Sequence, residues 1–253
     1  MVTTLFLVRH GETEGSEVKR YKGSIDVPIS QNGIEQVKRT SIFINSAVRK
    51  LSCSIDAIYC SPLSRASKSA EIIAAPHGLM PIEINELRER SFGIWEGMTF
   101  SEIRDKYPAE FDAWAGNPLM YSPIGGESTV EVKDRVIPAL EKILSEAGAL
   151  GNAELELARK PTVGAQARGN AEGPEKEKEQ NPKRNYRNSE LTGVRTNIVI
   201  VAHGGVNRVM LCHLLGIPLE NIFRIEQDNA SVNIIEFWDN YPVVKLLNGV
   251  IGG

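Results

Sequence analysis

An α/β fold, with a mostly parallel sheet, one antiparallel strand and flanking helices, is predicted by three features of this 253-residue chain. Short apolar runs alternate with amphipathic helical patterns, as in βαβ units. Two of the runs, Leu5-Phe6-Leu7-Val8 and Val199-Ile200-Val201-Ala202, are apolar throughout, the signature of strands covered on both faces. Each leads to a histidine followed by glycine, in Arg9-His10-Gly11 and in His203-Gly204-Gly205. Strands that stop on such turns present polar groups at the sheet edge where open α/β proteins bind ligands.

The elements follow in order. After the first strand, Pro28 ends a loop and Ser30 caps a helix bearing Ile34, Val37, Ile44 and Val48. A strand at Ala57 to Cys60, a helix from Leu63 to Ala75 and a short strand near Ile82 to Ile84 come next. The polar, aromatic-rich stretch from Thr99 to Pro123, with short helices around Ile103 and Phe111, reads as a lid. A long helix runs from about Thr129 to Glu146. The second histidine strand feeds a helix carrying Val206, Val209, Met210 and Leu214. A strand pair, Ser231 to Phe237 and Val243 to Leu247, joined by Asp239-Asn240, closes the chain.

The segment from Gly148 to Arg195 breaks the pattern. From Lys160 it is poor in large apolar residues and carries the mixed-charge run Glu175-Lys176-Glu177-Lys178-Glu179. Such composition cannot bury a core and predicts a solvated, flexible insertion. The expected organisation is therefore a single domain over residues 1–253 with an insertion at about 148–195.

Composition narrows the function. A net charge of −3 argues against nucleic acid as the main partner. The three cysteines, Cys53, Cys60 and Cys212, form no CxxC or Cys/His cluster, so they read as reduced core or helix residues and no metal site is expected. The first apolar run is too short for a signal peptide or membrane span, so a cytoplasmic protein with no membrane partner is expected. Neither GxxxxGK[ST] nor GxGxxG occurs, and no nucleotide cofactor is indicated.

Chemistry concentrates in four places. His10 and His203 end strands and are followed by glycines, which admit a ligand close to backbone and to the free N–H groups of a following helix. Arg65 stands in the first turn of its helix, where a cation opposes the macrodipole unless it faces a bound anion. The fourth is the charged, aromatic stretch Glu86 to Gly97. By contrast His77, before Gly78, suits a helix end; His213 reads as a packed or surface helix residue; and Trp95 and Trp114 read as wall or core aromatics.

Together these blocks resemble the histidine phosphatase superfamily, which includes the cofactor-dependent phosphoglycerate mutases. The matching pieces are RHGET at Arg9 to Thr13, Gly23 with Asp26-Val27-Pro28, Gly33, and SPLSRA at Ser61 to Ala66. LREXXFGXWEG at Leu87 to Gly97, GGES at Gly125 to Ser128 and VAHGG at Val201 to Gly205 complete them, in the family's order. The resemblance implies a three-layer phosphoglycerate mutase-like fold.

It also implies roles. His10 would be the nucleophile that becomes phosphohistidine, Arg9, Arg65 and His203 would hold the phosphoryl oxygens with the Gly204 backbone, and Glu89 would be proton donor. Gly15-Ser16 stands where many relatives have Trp-Asn, and the Ser16 hydroxyl could supply the missing hydrogen bond. A neutral imidazole suits attack on a phosphate monoester of about −1.5 to −2 charge, which repels anionic nucleophiles. Guanidinium forks match its equatorial oxygens better than lysine does. The expected partner is a small-molecule phosphate ester, with no cofactor; monomer and homodimer are both open. FGXWEG resembles the phosphatase branch, including α-ribazole phosphatases and broad-specificity phosphatases, rather than the mutase branch. The alternatives are a phosphoglycerate mutase using the same covalent step and a catalytically inactive phospho-ligand-binding relative.

Overall fold

The computed structural model describes residues 2–159, 195–239 and 241–252. Its strands are β1 (Val2–Arg9), β2 (Ala57–Cys60), β3 (Ile82–Glu83), β4 (Arg195–Ala202), β5 (Val232–Trp238) and β6 (Tyr241–Gly249). They form one sheet in the order β3-β2-β4-β1-β5-β6. β3, β2, β4 and β1 are parallel, β5 is antiparallel to β1, and β6 is antiparallel to β5, so β5 alone opposes the rest. That is the mostly parallel sheet with one reversed strand that the sequence predicts.

The helices are α1 (Gln31–Lys50), α2 (Ser64–Ala74), α3 (Phe100–Lys106), α4 (Pro108–Gly116), α5 (Thr129–Arg159) and α6 (Gly204–Leu215). They cover both faces, and the strands alternate between two cores. Leu5 and Leu7 of β1 with Ile198 and Ile200 of β4 pack on α5 and α6; Phe6 and Val8 with Val199 and Val201 pack on α1 and α2. Every one of these strand side chains is at most 3% exposed. Burying each contributes about 1.5–3 kcal/mol, which explains the absence of polar alternation in the two central strands.

Caps set the helix starts. The Ser30 hydroxyl accepts the Gly33 N–H at 3.0 Å, as its position before α1 predicts. α2 has no cap of its own; Asp26, 38 residues earlier, reaches over and accepts both the Ser64 N–H (2.8 Å) and hydroxyl (2.7 Å). Thr99 and Glu102 form a capping box on α3. The outer strands are defended: β3 has two residues, and β6 carries Pro242 and Lys245.

Two expectations need correction. α5 runs past Glu146 to Arg159, so the start of the expected insertion, 148–159, is helix. Ala, Leu and Glu are strong helix formers, and over residues 149–158 they outweigh the roughly 1 kcal/mol that Gly151 costs. The remainder of that expected insertion, 160–194, lies outside the described residues. The last strand is also longer than predicted, and its partner is shifted by one residue, because inter-strand pairing recruits Trp238 and Tyr241 beside the turn; Asn240 lies outside the described residues.

Among the described residues no helix is long and apolar enough to cross a membrane. Cys60 and Cys212 are buried, Cys53 is half-buried, and all three are free thiols.

Candidate active site

β1 and β4 lie side by side, yet the chain leaves them in opposite directions. From β1 it passes through α1 to β2, and from β4 through α6 to β5. Such a switch point opens a crevice at the carboxyl ends of the strands. His10 and His203 stand there, ring centroids 5.1 Å apart and 63° between planes. Backbone bonds fix them: His10 N–H donates to Ala202 O at 3.0 Å, and Arg9 N–H to Ser231 O at 3.0 Å.

The tautomer of His10 follows from its partner. Nδ1 lies 2.7 Å from Gly11 O, and a carbonyl only accepts, so Nδ1 carries the proton and Nε2 keeps its lone pair. Gly11 is needed close by: a Cβ there would lie 2.4 Å from Gly33 O. His203 is bonded differently. Its Nε2 is 2.8 Å from Ser61 Oγ, a hydroxyl that also accepts the Leu63 N–H and can either donate to Nε2 or accept from it. Its Nδ1 is a fully buried atom with no protein partner among the described residues.

Both imidazoles are held neutral. Burial pushes the His10 pKa well below the ordinary histidine value, aided by Arg9 and Arg65; for His203 burial again leads, followed by His10, Arg65 and Arg9. Stability follows with a definite sign. The unfolded chain takes up protons near pH 6.5 while the native histidines do not, so their contribution is complete above that pH. It is lost as pH falls from about 6.5 through the lower native values. The thermal midpoint is expected to decline through this window, and to decline less in a His10→Gln/His203→Gln variant, measured by calorimetry against pH.

Cations surround the pair. Arg65 is 2% exposed, with its guanidinium donating to Gly23 O at 2.7 Å and Ile25 O at 2.9 Å. Burial lowers its pKa, and Glu89 and Asp26 oppose that. Arg9 donates to Gln227 O at 2.5 Å, while its Nε is buried and has no protein partner among the described residues. Beneath that carbonyl the side chains of Gln227, Asn233 and Asn207, none above 2% exposed, bond to one another and to Leu7 O, which stops the loop from yielding to the guanidinium.

Glu89 projects from the loop after β3. Its carboxylate accepts Arg90 N–H at 2.9 Å and, across the site, Gly205 N–H at 3.2 Å. A Cβ on Gly205 would lie 2.6 Å from Glu89 Oε1, so only glycine leaves room for this contact. Arg135 of α5 locks the loop, holding both Glu127 carboxylate oxygens at 2.7 and 2.9 Å and reaching Glu89 O at 3.3 Å. Gly204 opens α6, with His203 as the residue before its first turn.

Ser16 is placed differently from the other expected site residues. Its hydroxyl donates to Thr13 O at 2.5 Å, so its proton is committed within the loop and its oxygen faces Lys22 Nζ at 3.3 Å. Lys22, which the sequence reading did not single out, instead adds positive potential at His10. It donates to Thr13 Oγ1 and to Glu14 O, bonds no periodicity could announce.

Outward from Arg9, Glu89, Gly204 and Gly205 opens a cavity of about 310 Å³. Trp114 of α4 and Phe223 line it, so the predicted lid region does border the site, while Trp95 is buried and stacks on Tyr121. A larger concavity, about 910 Å³, lies at the other end of the sheet by Thr3, Glu141 and His213. Its lining includes Glu141, Ser145, His213 and Asp239 but, among the described residues, no arginine, and chemistry rather than size locates the site. Among the described residues no three His, Cys, Asp or Glu side chains group as a metal site would require.

Two buried neutral imidazoles and two guanidiniums around one crevice can bind an oxyanion and present it to a nitrogen lone pair; the class defined is an α/β oxyanion-handling protein. Residues 5–150 and 187–249 match the family model described as histidine phosphatase superfamily (branch 1). The chain belongs to that superfamily of hydrolytic enzymes. It is 29% identical over 244 residues to phosphoserine phosphatase 1 of Hydrogenobacter thermophilus, covering 96% of this chain and 91% of the relative. It is 23% identical to the adenosylcobalamin/alpha-ribazole phosphatase of Escherichia coli, covering 96% and 95%. The solved structure of Bacillus stearothermophilus YhfR superposes with a TM-score of 0.70 at 26% identity, over 99% of this chain and 98% of that one.

Proposed function

We propose that the protein is a phosphomonoesterase that hydrolyses a small phosphorylated metabolite through a phosphohistidine on His10. The observation that carries this reading is the His10 tautomer: Nδ1 is tied to Gly11 O, which leaves a neutral Nε2 lone pair at the carboxyl edge of the sheet. His10 Nε2 attacks phosphorus as the ester P–O bond breaks, and Glu89 protonates the departing oxygen. Water then attacks phosphorus, gives its proton to Glu89, and the P–N bond breaks to release inorganic phosphate. Arg9 and Arg65 hold the equatorial oxygens, and the His203 Nδ1–H and the Gly204 backbone add donors. Each charge pair about 4 Å apart is worth roughly 4 kcal/mol at an effective dielectric near 20, so electrostatics outweighs the roughly 10²–10⁴-fold of proton transfer.

The names of the relatives support hydrolysis over mutase chemistry. The direct test is release of inorganic phosphate from an aryl phosphate and from a panel of phosphorylated metabolites. Because Arg9 and Arg65 supply the positive charge, chelator is expected to leave the rate within about twofold, far less than loss of a catalytic metal would cost. Loss of activity in EDTA with recovery on adding zinc or magnesium would overturn this mechanism.

A further inference from the structure

The outer cavity contains a cation that the proposed phosphoryl site does not use. Two arginines line it beyond Arg9, and they differ in what their nitrogens do. Arg90 donates from Nε to Glu127 O, from NH1 to Thr129 Oγ1 and from NH2 to Tyr121 O, so it holds the wall together. Arg208 donates only from Nε, to Ile225 O at 2.6 Å. Among the described residues no protein acceptor takes its NH1 or NH2, and no carboxylate pairs with it.

That bond fixes the orientation of Arg208 and leaves its NH1/NH2 edge to the cavity. A Cβ on Gly204 would lie 3.4 Å from Arg9 Nε and 3.7 Å from Arg208 NH1, so the two guanidiniums flank one bare glycine. Like charges this close repel, and Arg208 is among the groups that depress the Arg9 pKa after burial. Glu89, the counter-charge that acts most on Arg9, is already held by two backbone N–H groups. The arrangement therefore has room for one more anionic group beside the phosphoryl site, and the remaining lining, including Val209, Ile222 and Phe223, is mostly apolar and adds no further charge.

Resting on the reading above, we propose that Arg208 binds a carboxylate on the organic part of the substrate, so that preferred substrates are phosphate monoesters of small hydroxy acids. A two-nitrogen edge matches a planar carboxylate in a fork geometry. A second phosphoryl group would call for further cations, and Arg90 is already engaged at all three of its nitrogens.

The test compares O-phosphoserine with O-phosphoethanolamine, which lacks only the carboxylate, and with p-nitrophenyl phosphate, in wild type, Arg208→Met and Arg208→Lys. Wild type is expected to favour O-phosphoserine by about tenfold or more in kcat/KM. Arg208→Met should lose about 10–100-fold on O-phosphoserine, mainly through KM, the range for charged hydrogen bonds. The loss on the other two esters should be at least about tenfold smaller, and Arg208→Lys should recover part of the difference. Vanadate inhibition and the thermal midpoint report separately on the phosphoryl pocket and the fold. Equal losses on all three esters, or no wild-type preference, overturn the proposal while the phosphatase reading stands. Failure of wild type to turn over any ester overturns both.

Discussion

His10→Ala is expected to abolish turnover, by on the order of 10⁴-fold or more, while the protein stays folded. The variant removes the only atom proposed to bond to phosphorus, and neighbouring groups cannot substitute. His203 ties its Nε2 to Ser61 and, in the proposed reaction, directs its Nδ1–H at the phosphoryl group, so it has no lone pair free to attack. The structural cost is modest: one hydrogen bond to Gly11 O and one ring contact with His203, together about 1–3 kcal/mol. Circular dichroism and a thermal melt check the fold. Acid-quenched wild type should carry acid-labile, base-stable phosphate that the variant lacks. Near wild-type activity in His10→Ala would falsify the covalent mechanism.

Glu89→Gln should lower the rate by about 10²–10⁴-fold, and by a margin that depends on the leaving group. An aryl oxygen leaves without help, so phosphohistidine should still form from p-nitrophenyl phosphate. Hydrolysis of that intermediate needs a base for water, which glutamine is not. The variant should therefore show a burst of nitrophenol near one equivalent, followed by slow turnover, with phosphate accumulating on His10. Alkyl esters, whose oxygen must be protonated to leave, should show no burst. The Arg90 and Gly205 N–H groups go to different carboxylate oxygens, so glutamine keeps an acceptor for one of them, and Arg135 still holds the loop through Glu89 O. Equal slowing of aryl and alkyl substrates without a burst would remove Glu89 from both proton transfers.

Much of this was legible in the chain because the features that matter are locally written. Continuous apolar runs identify β1 and β4, and the histidines follow directly from them. Ser30 announces α1 because its cap partner is three residues away. What escaped is set by distance. Asp26 caps α2 across 38 residues, and Lys22 is turned toward His10 by a loop with no periodicity. Arg208 and Arg90 look alike in sequence, and only the surrounding carbonyls decide which one keeps nitrogens free. α5 overran its expected end because Ala, Leu and Glu carry the helix past Gly148 and Gly151. The Ser16 hydroxyl could have served either a ligand or its own loop, and Thr13 lies nearer.

The pairing of β1 between β4 and β5 also sets a timetable for the nascent chain. Val2 meets Arg195 on one side and Trp238 on the other, so both neighbours of the earliest strand are made last. At about 5–20 residues per second, the apolar segment from Leu5 to Val8 waits ten seconds or more with neither edge paired. No shortcut through local contacts exists for it, since such long-range pairing must bear its loop-closure entropy before any contact rewards it. The two histidines meet only when that wait ends, so a truncated or stalled chain carries an exposed aggregation-prone strand and no assembled site.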